Sequence, residues 1–327
     1  MSSSDNATGR SAVTEGRALG LLGVLTFSFS LPATRLAVED LDPWLVAFGR
    51  AVVAGALAIA YLALTRAPRP TRAQWRGLAV VAGGVVVGFP LLTSLALQTS
   101  GSAHGAVIVA ILPAATALAA VARAGERPGP AFWLAATAGL AISLTFVLAQ
   151  SGGAPTAADA LMLGAVAACA LGYAEGGALS RVLGGARTIC WGLVLSLPVS
   201  VPITVAAVAW SAPQLGDAGA HAWLGFAYVS LFSMFLGFFA WYAGLARGGV
   251  ARVGQIQLVQ PLLTIGWSAL LLSEDVGPGM LLAAAGTLAC VLATQRARVR
   301  AATAPGDGAA AAASAAPRGA PAPVARA

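Results

Sequence analysis

The segments GERPGPAFWLAA (residues 125–136) and SEDVGPGMLLAA (residues 273–284) are one pattern used twice, at a spacing of 148 positions. Each copy places a Glu before a Gly-Pro pair, and the same Leu-Ala-Ala triplet closes both. In a chain so rich in Ala and Leu the triplet could recur by chance, whereas the Glu and the Gly-Pro pair are much less common. The same spacing aligns other uncommon residues: Trp75 with Trp223, Gly101 with Gly249, and Pro113 with Pro261. The sequence therefore predicts an internal duplication.

Long apolar runs fill both copies of the repeat. Of the 327 residues, 58% are apolar and 9% are charged, whereas soluble domains carry roughly 25% charged residues. Helices of about twenty apolar residues are long enough to cross roughly 30 Å of hydrocarbon. Short connections between the runs leave no room for an inserted soluble domain. Ten membrane-spanning helices are predicted at residues 18–38, 43–64, 77–97, 103–122, 131–149, 160–181, 188–210, 222–245, 250–272 and 278–294.

An odd number of spans in each copy decides the topology. Because each repeat holds five predicted spans, the second copy must enter the membrane from the opposite side. We expect an all-α integral membrane protein whose ten transmembrane helices form two inverted five-helix repeats, at residues 18–150 and 158–296. The polar N-terminal residues 1–17 are predicted to be a cytoplasmic tail. The Ala/Pro/Arg-rich residues 297–327 are predicted to be a disordered cytoplasmic tail.

The basic residues predict the orientation of the chain. The sequence has no Lys, so all 19 basic residues are Arg. They fall in alternate loops and at both ends, which by the positive-inside rule are cytoplasmic. Only Arg35 and Arg50 lie toward the outside, both within predicted helices. We therefore expect a multi-pass protein of the plasma membrane with both termini in the cytoplasm. Since membrane orientation explains the net charge of +7, nucleic acid is not predicted as a partner.

Several chemistries lack the residues they need. Without Lys the chain cannot carry a standard Walker phosphate loop or a Schiff base. Cys169, Cys190 and Cys290 lie within apolar runs at no metal-ligand spacing, so neither a metal site nor a disulfide framework is predicted. No zinc-protease or Ser-hydrolase motif is present. We predict no catalytic residue and no cofactor. A membrane-embedded enzyme and a non-transporting scaffold remain remote alternatives, and no feature indicates an oligomeric state.

Three features resemble a known family of membrane proteins. They are the stretch SLPATR at residues 30–35, Arg50 in the second predicted helix, and the twice-used segment that runs from a Pro to a Glu. Over residues 18–296 the chain resembles the EamA-type, ten-helix members of the drug/metabolite transporter superfamily. Its second copy reads Ser-Glu where that family often has Gly-Glu. The resemblance implies cytoplasmic termini, a central cavity and secondary transport, but it does not select among amino-acid, metabolite and drug exporters.

Two ionisable residues inside predicted helices are candidate functional groups, because charges within a membrane are costly. Glu175 could carry a coupling proton or bind a cationic substrate. Its alternative role is structural, as an acid paired with Arg181 or another nearby Arg at the cytoplasmic interface. Arg50 could bind a substrate carboxylate. Its alternative role is also structural, with bonds to backbone carbonyls or to the acids of residues 39–42.

Polar and aromatic side chains within the helices form a second group of candidates. Gln257 and Gln260 share a helical face with Thr264, and Ser30 belongs to a Ser/Thr face of the first helix. Such faces line cavities or join helices through hydrogen bonds. Tyr173 is a candidate cavity residue, and Trp241 is either a cavity residue or part of an interfacial aromatic belt. Proline frees a backbone carbonyl, so three prolines are hinge candidates: Pro113, Pro261 and Pro32.

These features predict a secondary transporter that works by alternating access, with its substrate near the membrane midplane. The leading hypothesis is export of a small metabolite, such as an amino acid or a related compound, coupled to protons through Glu175. The alternative is a multidrug or toxic-compound efflux transporter, because the aromatic residues of the eighth helix together with Glu175 would suit such a site. The expected partners are a small-molecule substrate, protons and the lipid bilayer.

Overall fold

The computed structural model describes residues 3–124, 129–150, 154–248 and 256–303. Within those residues the chain folds into ten helical segments, α1 to α10, and contains no strand. Five of the segments change helix type or break along their length. The bounds are α1, Ser3–Ser28 and Ser30–Asp40; α2, Pro43–Leu64; α3, Arg72–Val81, Ala82–Gly88 and Phe89–Ala96; α4, Ser102–Val109 and Leu112–Ala124; α5, Pro130–Gln150; α6, Ala157–Leu183; α7, Gly185–Leu215; α8, Ala220–Tyr228, Val229–Leu236 and Gly237–Gly248; α9, Ile256–Val259 and Gln260–Leu272; and α10, Pro278–Thr303.

The lengths and composition of these segments are those of membrane-spanning helices. Segments α1 to α8 are each long and apolar enough to cross a bilayer. Segments α9 and α10 contribute shorter apolar helices, Ile256–Leu272 and Pro278–Ala293. Many large apolar side chains face outward, as expected for a surface in contact with lipid; the most exposed are Leu64, Leu134, Val182, Leu224, Leu270 and Leu282. The prediction of an all-α membrane protein is confirmed.

Local sequence signals fix where several helices begin. The Asp42 carboxylate accepts hydrogen bonds from the backbone N–H groups of Trp44 and Leu45, and Pro43 occupies the first turn of α2. Thr71 opens α3 through a reciprocal capping box. Thr156 opens α6 in the same way. Each cap satisfies backbone donors that the helix itself leaves without a partner.

The two chain ends differ from the predicted tails. Segment α1 is helical from Ser3 rather than from residue 18, although its apolar span begins at Thr14. Segment α10 continues to Thr303, past the predicted start of the tail at residue 297. Hydropathy marks where a helix enters the membrane, whereas Ala- and Arg-rich sequence can remain helical in water. The predicted disorder of residues 304–327 lies outside the described residues.

Matching irregularities mark the two copies of the repeat. A π-helical stretch interrupts α3 at Ala82–Gly88 and α8 at Val229–Leu236, and the spacing of 148 superimposes these two stretches in sequence. Segment α4 is interrupted just before Pro113. Segment α9 begins as a 3₁₀ turn and becomes α-helical at Gln260, next to Pro261. The backbone is therefore broken at equivalent places in both halves, as expected for a duplicated fold.

The helices of one half pack mainly against helices of the other. Segment α1 lies along α8, α2 along α7, α3 along α6, and α5 along α10. Glycines permit the closest approaches, since a Cβ added at Gly84 of α3 would lie 3.1 Å from the Gly172 nitrogen of α6. The two five-helix halves thus form one interleaved bundle.

Candidate functional site

Arg50 of α2 is a buried cation that lacks a counter-charge. Its side chain is 3% exposed. Its Nη1 donates a long hydrogen bond of 3.5 Å to Thr34 Oγ1 of α1, while its Nε has no hydrogen-bond partner among the described residues. No Asp or Glu in the described part of the chain forms an ion pair with it. An uncompensated charge in the membrane interior is costly, so Arg50 requires an explanation in terms of function.

The acids that could have neutralised Arg50 are used elsewhere. Glu39 and Asp40 both contact His221, and Asp40 also accepts a hydrogen bond from the Gly219 nitrogen. Asp42 caps α2 and accepts a hydrogen bond from the indole of Trp210. Arg50 also forms no hydrogen bond to a backbone carbonyl among the described residues. The partners expected for a purely structural Arg50 are therefore not the ones observed.

Cys169 of the second half lies near Arg50, and Tyr173 and Tyr242 lie near Cys169. We call these four residues the central polar group: Arg50, Cys169, Tyr173 and Tyr242. Cys169 lies close enough to Arg50, Tyr173 and Tyr242 to interact electrostatically with each. Cys169 is 2% exposed and Tyr242 is 1% exposed. The Tyr242 hydroxyl has no hydrogen-bond partner within the described residues. The central polar group therefore joins α2 of the first half to α6 and α8 of the second.

Further buried polar atoms lack partners on other helices. Ser94 Oγ of α3, Ser200 Oγ of α7 and Gln260 Oε1 of α9 form no hydrogen bond in the described part of the chain. Unsatisfied buried groups are rare in native proteins, and those that occur commonly meet water or a ligand. In a transmembrane bundle these polar atoms are candidates for contact with a polar solute.

Glu175 of α6 is held in a two-point ion pair with Arg123 of α4. Arg123 Nε donates to Glu175 Oε2, and Arg123 Nη2 donates to Oε1 at 3.1 Å. The arginine is half exposed and the carboxylate is 17% exposed. Gly77 of α3 lies against the same carboxylate, since a Cβ added there would lie 2.5 Å from Glu175 Oε1. Glu175 thus joins α3, α4 and α6 at the end of α4 that the Arg pattern predicts to be cytoplasmic, and its observed partner is Arg123 rather than Arg181.

The opposite end of α4 is fixed by a different set of polar contacts. Glu274, which precedes α10, accepts hydrogen bonds from the backbone N–H of Ser102 at 2.8 Å and of Ala103 at 2.7 Å. His104 Nε2 lies 2.6 Å from the Asp159 carboxylate of α6. A carboxylate at a helix N-terminus is favoured by the helix dipole. These contacts fasten the start of α4 to both α6 and the loop between α9 and α10.

Comparison with known proteins places this fold in a family. The EamA-like transporter family matches residues 14–148 and, a second time, residues 156–294. The chain belongs to the EamA-like transporter family. This family is part of the drug/metabolite transporter superfamily, so the protein is a multi-pass membrane transporter.

Two relatives illustrate the range of similarity within the EamA-like fold. The "Uncharacterized transporter YdeK" of Bacillus subtilis (strain 168) is 47% identical over 285 residues, which cover 86% of this chain and 98% of that protein. A solved crystal structure is 21% identical, has a TM-score of 0.54, and matches 89% of this chain and 99% of its own. At that identity the crystal structure supports the fold alone.

Two predicted site residues of this EamA-like protein lie in contacts between α1 and α8. The Ser30 hydroxyl is 2.7 Å from the Ser233 hydroxyl. Trp241 is buried and packs edge-on against Phe27, with ring centroids 6.4 Å apart. Both side chains therefore join the two halves of the EamA-like bundle. The sequence does not distinguish a residue that lines a cavity from one that joins two helices, because both roles place a polar or aromatic residue on a buried helical face.

The other three candidates, Gln257, Gln260 and Tyr173, are buried or partly buried in contacts between helices. Gln257 is buried in the 3₁₀ turn of α9. Gln260, which begins the α-helical part, is partly buried and contributes the unpartnered oxygen described above. Tyr173 packs edge-on against Phe238 of α8, with centroids 6.2 Å apart. Of the seven predicted site residues, the structure brings Arg50 and Tyr173 together through Cys169.

The three hinge candidates each lie next to a break in a helix. Pro113 follows the interruption of α4 between Val109 and Leu112. Pro261 follows the 3₁₀ turn of α9. Pro32 follows Phe29, where the helix of α1 is interrupted. Their backbones are already irregular, which is compatible with bending, and movement about them stays a prediction.

Proposed function

We propose that this protein is a secondary transporter that exports a small metabolite, such as an amino acid or a related compound, by alternating access. The observation that carries the proposal is the buried, uncompensated Arg50 on a helix of one half, with Cys169 of the other half nearby. A binding group between two inverted halves is the arrangement that alternating access requires. Membership of a transporter family, together with the absence of a recognised catalytic motif from the sequence, supports transport rather than catalysis.

The contacts of α4 suggest how access could alternate. The Arg123–Glu175 pair joins α4 to α6 at one end, and the His104–Asp159 contact joins the same helices at the other. Opening toward the cytoplasm would separate the first pair, and opening toward the outside would separate the second. The break in α4 lies between the two pairs, so its ends can move separately. The substrate site would thereby open to one side at a time.

Proton coupling is the finer part of the proposal, and we assign it to Glu175. A protonated Glu175 loses its charge attraction to Arg123, which weakens the contact that closes the predicted cytoplasmic end. Loss of the proton to the cytoplasm would restore the pair. The energy of a proton gradient would thus be used to open and close one end of α4.

The test compares the medium around cells that overproduce the intact protein, Glu175→Gln or Arg181→Gln at equal membrane levels. Arg181 lies on the same helix and is exposed, so its variant controls for the loss of one charge near the cytoplasm. We expect one metabolite, or a few related ones, to accumulate outside cells with the intact protein and the Arg181 variant. Glu175→Gln should lose the response of export to external pH. If all three media match an empty-vector control, export is refuted, and unchanged pH dependence in Glu175→Gln refutes the coupling role.

Efflux of drugs is the second candidate, and a group of aromatic side chains favours it. Phe238 packs against Phe27 at 4.9 Å and against Tyr242 at 5.6 Å between ring centroids. Such a surface could bind a flat apolar compound. Cells carrying the protein would then accumulate less of a fluorescent cationic dye such as ethidium. An unchanged dye content, together with export of a metabolite, would exclude this candidate.

A further inference from the structure

We infer that Arg50 binds the negatively charged group of the substrate, so that the transported molecule carries a carboxylate. The inference rests on the proposed transport function and names the substrate class of that same site. It begins from the guanidinium itself. Nη1 donates a hydrogen bond to Thr34 Oγ1, whereas Nε, on one edge of the guanidinium, has no acceptor among the described residues.

The geometry of that edge matches one class of ligand. Two N–H groups of a guanidinium point in parallel from one edge and bind the two oxygens of a carboxylate together. A hydroxyl or an amide of a neutral solute could accept only one of these hydrogen bonds. The unpartnered Nε on this edge of Arg50 therefore favours an anionic group with two oxygens.

Charge balance gives a second and independent reason. Three acids near the helix ends have other partners: Glu175 bonds to Arg123, Asp159 to His104, and Glu274 to the start of α4. No described carboxylate neutralises Arg50. A bound carboxylate would supply the missing charge, whereas a cationic solute would add to it and would be repelled.

The remainder of the central polar group agrees with a substrate recognised through its anion. Cys169, Tyr173 and Tyr242 are neutral, and the unpartnered hydroxyl of Tyr242 can donate a further hydrogen bond to an anion. The described residues around Arg50 include no acid that would bind an ammonium group. Binding is therefore centred on the carboxylate, with tyrosine rings beside the rest of the molecule.

Cys169 provides a probe of this charge that requires no transport. The chain has three cysteines, so the double variant Cys190→Ala/Cys290→Ala keeps Cys169 as the single cysteine. The probes are two methanethiosulfonates of similar size, the anionic sulfonatoethyl reagent and the cationic trimethylammonioethyl reagent. The Cys169 thiolate attacks the reagent sulfur, a disulfide forms, and methanesulfinate leaves. The rates are followed by intact-protein mass spectrometry in nanodiscs and divided by each reagent's rate with free mercaptoethanol.

We expect the anionic reagent to modify Cys169 at least about tenfold faster than the cationic one, because the neighbouring cation concentrates anions. Arg50→Gln should abolish this preference, and Arg50→Lys should retain it. The matched control is Arg35→Gln, whose native side chain donates to the Leu97 carbonyl and approaches Glu39, and it should retain the preference. Benzoate should slow the labelling of the Arg50 protein, and benzamide should not, which tests the inference without changing Arg50.

Three results would overturn the inference: equal corrected rates, a preference for the cationic reagent, or no labelling of the folded protein when the denatured protein is labelled fully. Equal protection by benzoate and benzamide would overturn it as well. Because labelling needs no gradient and no export, an anion preference without export would refute the proposed function while leaving the carboxylate site in place. Export without an anion preference would refute the carboxylate site at Arg50 while leaving the proposed transport function in place.

Discussion

The contact between α1 and α8 is the most sensitive place at which to test the packing of the two halves. Gly244 of α8 lies on the backbone of α1, opposite Gly16 and Gly20. A Cβ added at Gly244 would lie 2.6 Å from the Gly20 nitrogen, 2.9 Å from the Gly20 Cα and 2.9 Å from the Gly16 oxygen. All three are backbone atoms that cannot turn aside. The substitution Gly244→Ala therefore forces the two helices apart by several tenths of an ångström.

The free-energy cost of Gly244→Ala follows from the gap that it opens between α1 and α8. A gap of about 0.5–1 Å removes a quarter to a half of the dispersion energy between facing atoms, and overpacking in a dense core costs about 1–3 kcal/mol. We expect Gly244→Ala to lower the melting temperature by about 2–12 °C, taking about 2–4 °C per kcal/mol, which applies to domains of about 150–250 residues. The measurement is thermal unfolding of the purified protein in detergent, followed by the fluorescence of its eight Trp residues.

The matched control is Gly266→Ala in the α-helical part of α9. A Cβ at Gly266 would meet no atom within 4 Å, and Ala is a better helix former than Gly by about 1 kcal/mol. Its melting temperature should be unchanged or slightly raised. If Gly244→Ala melts no lower than the native protein, or if both variants fall equally, then the close approach of α1 and α8 is not what stabilises the bundle.

Three further predictions concern the polar contacts of α4. The variants Arg123→Glu and Glu175→Arg should each lower the melting temperature, because each leaves two like charges facing one another. The double variant should recover much of the loss. If it does not, the two side chains do not interact. Glu274→Gln should lower the free energy of unfolding by about 1–3 kcal/mol, because it replaces charge-assisted hydrogen bonds with weaker ones. Its control, Asp275→Asn, should be near neutral in the same melting assay. Equal effects of the two variants would contradict the capping role of Glu274. His104→Ala should destabilise the protein by about 1–3 kcal/mol because it leaves a buried carboxylate without that partner, and a native melting temperature would show the contact to be unimportant.

Residue identities alone were enough to predict the duplicated, inverted architecture, because the spacing of 148 and the alternation of Arg are properties of the linear sequence. The partners of the polar residues were not predictable in this way. The recurring Glu at position 274 was recognised as a repeat element. The backbone N–H groups that donate to its carboxylate, however, belong to Ser102 and Ala103, in the other half of the chain. Which helix meets which is decided by packing, and no local pattern records it.

The candidate site shows the same limit. The structural alternative for Glu175 named Arg181 or another nearby Arg as its partner, and the structure shows which one it is: Arg123, on another helix, forms the pair. The π-helical stretches were also unforeseen, since AGGVVVG in α3 and VSLFSMFL in α8 share almost no residue types. The ion pair of Glu175 and the π-helical stretches both depend on how the helices pack against one another. Arg50 was proposed as a carboxylate site from its charge alone, and the structure adds that its Nε has no acceptor within the described residues.

The interleaving of the two halves has a consequence for how the chain assembles during synthesis. As the ribosome releases the first five helices, α1, α2 and α5 emerge before the helices they pack against, α8, α7 and α10, have been made. These early helices can insert into the bilayer, but their glycine-lined faces must wait, covered by lipid or by chaperones, until translation is almost complete. A fragment that ends near residue 150 would therefore be a membrane-inserted but unpacked intermediate, and supplying the remaining half as a separate chain would complete it.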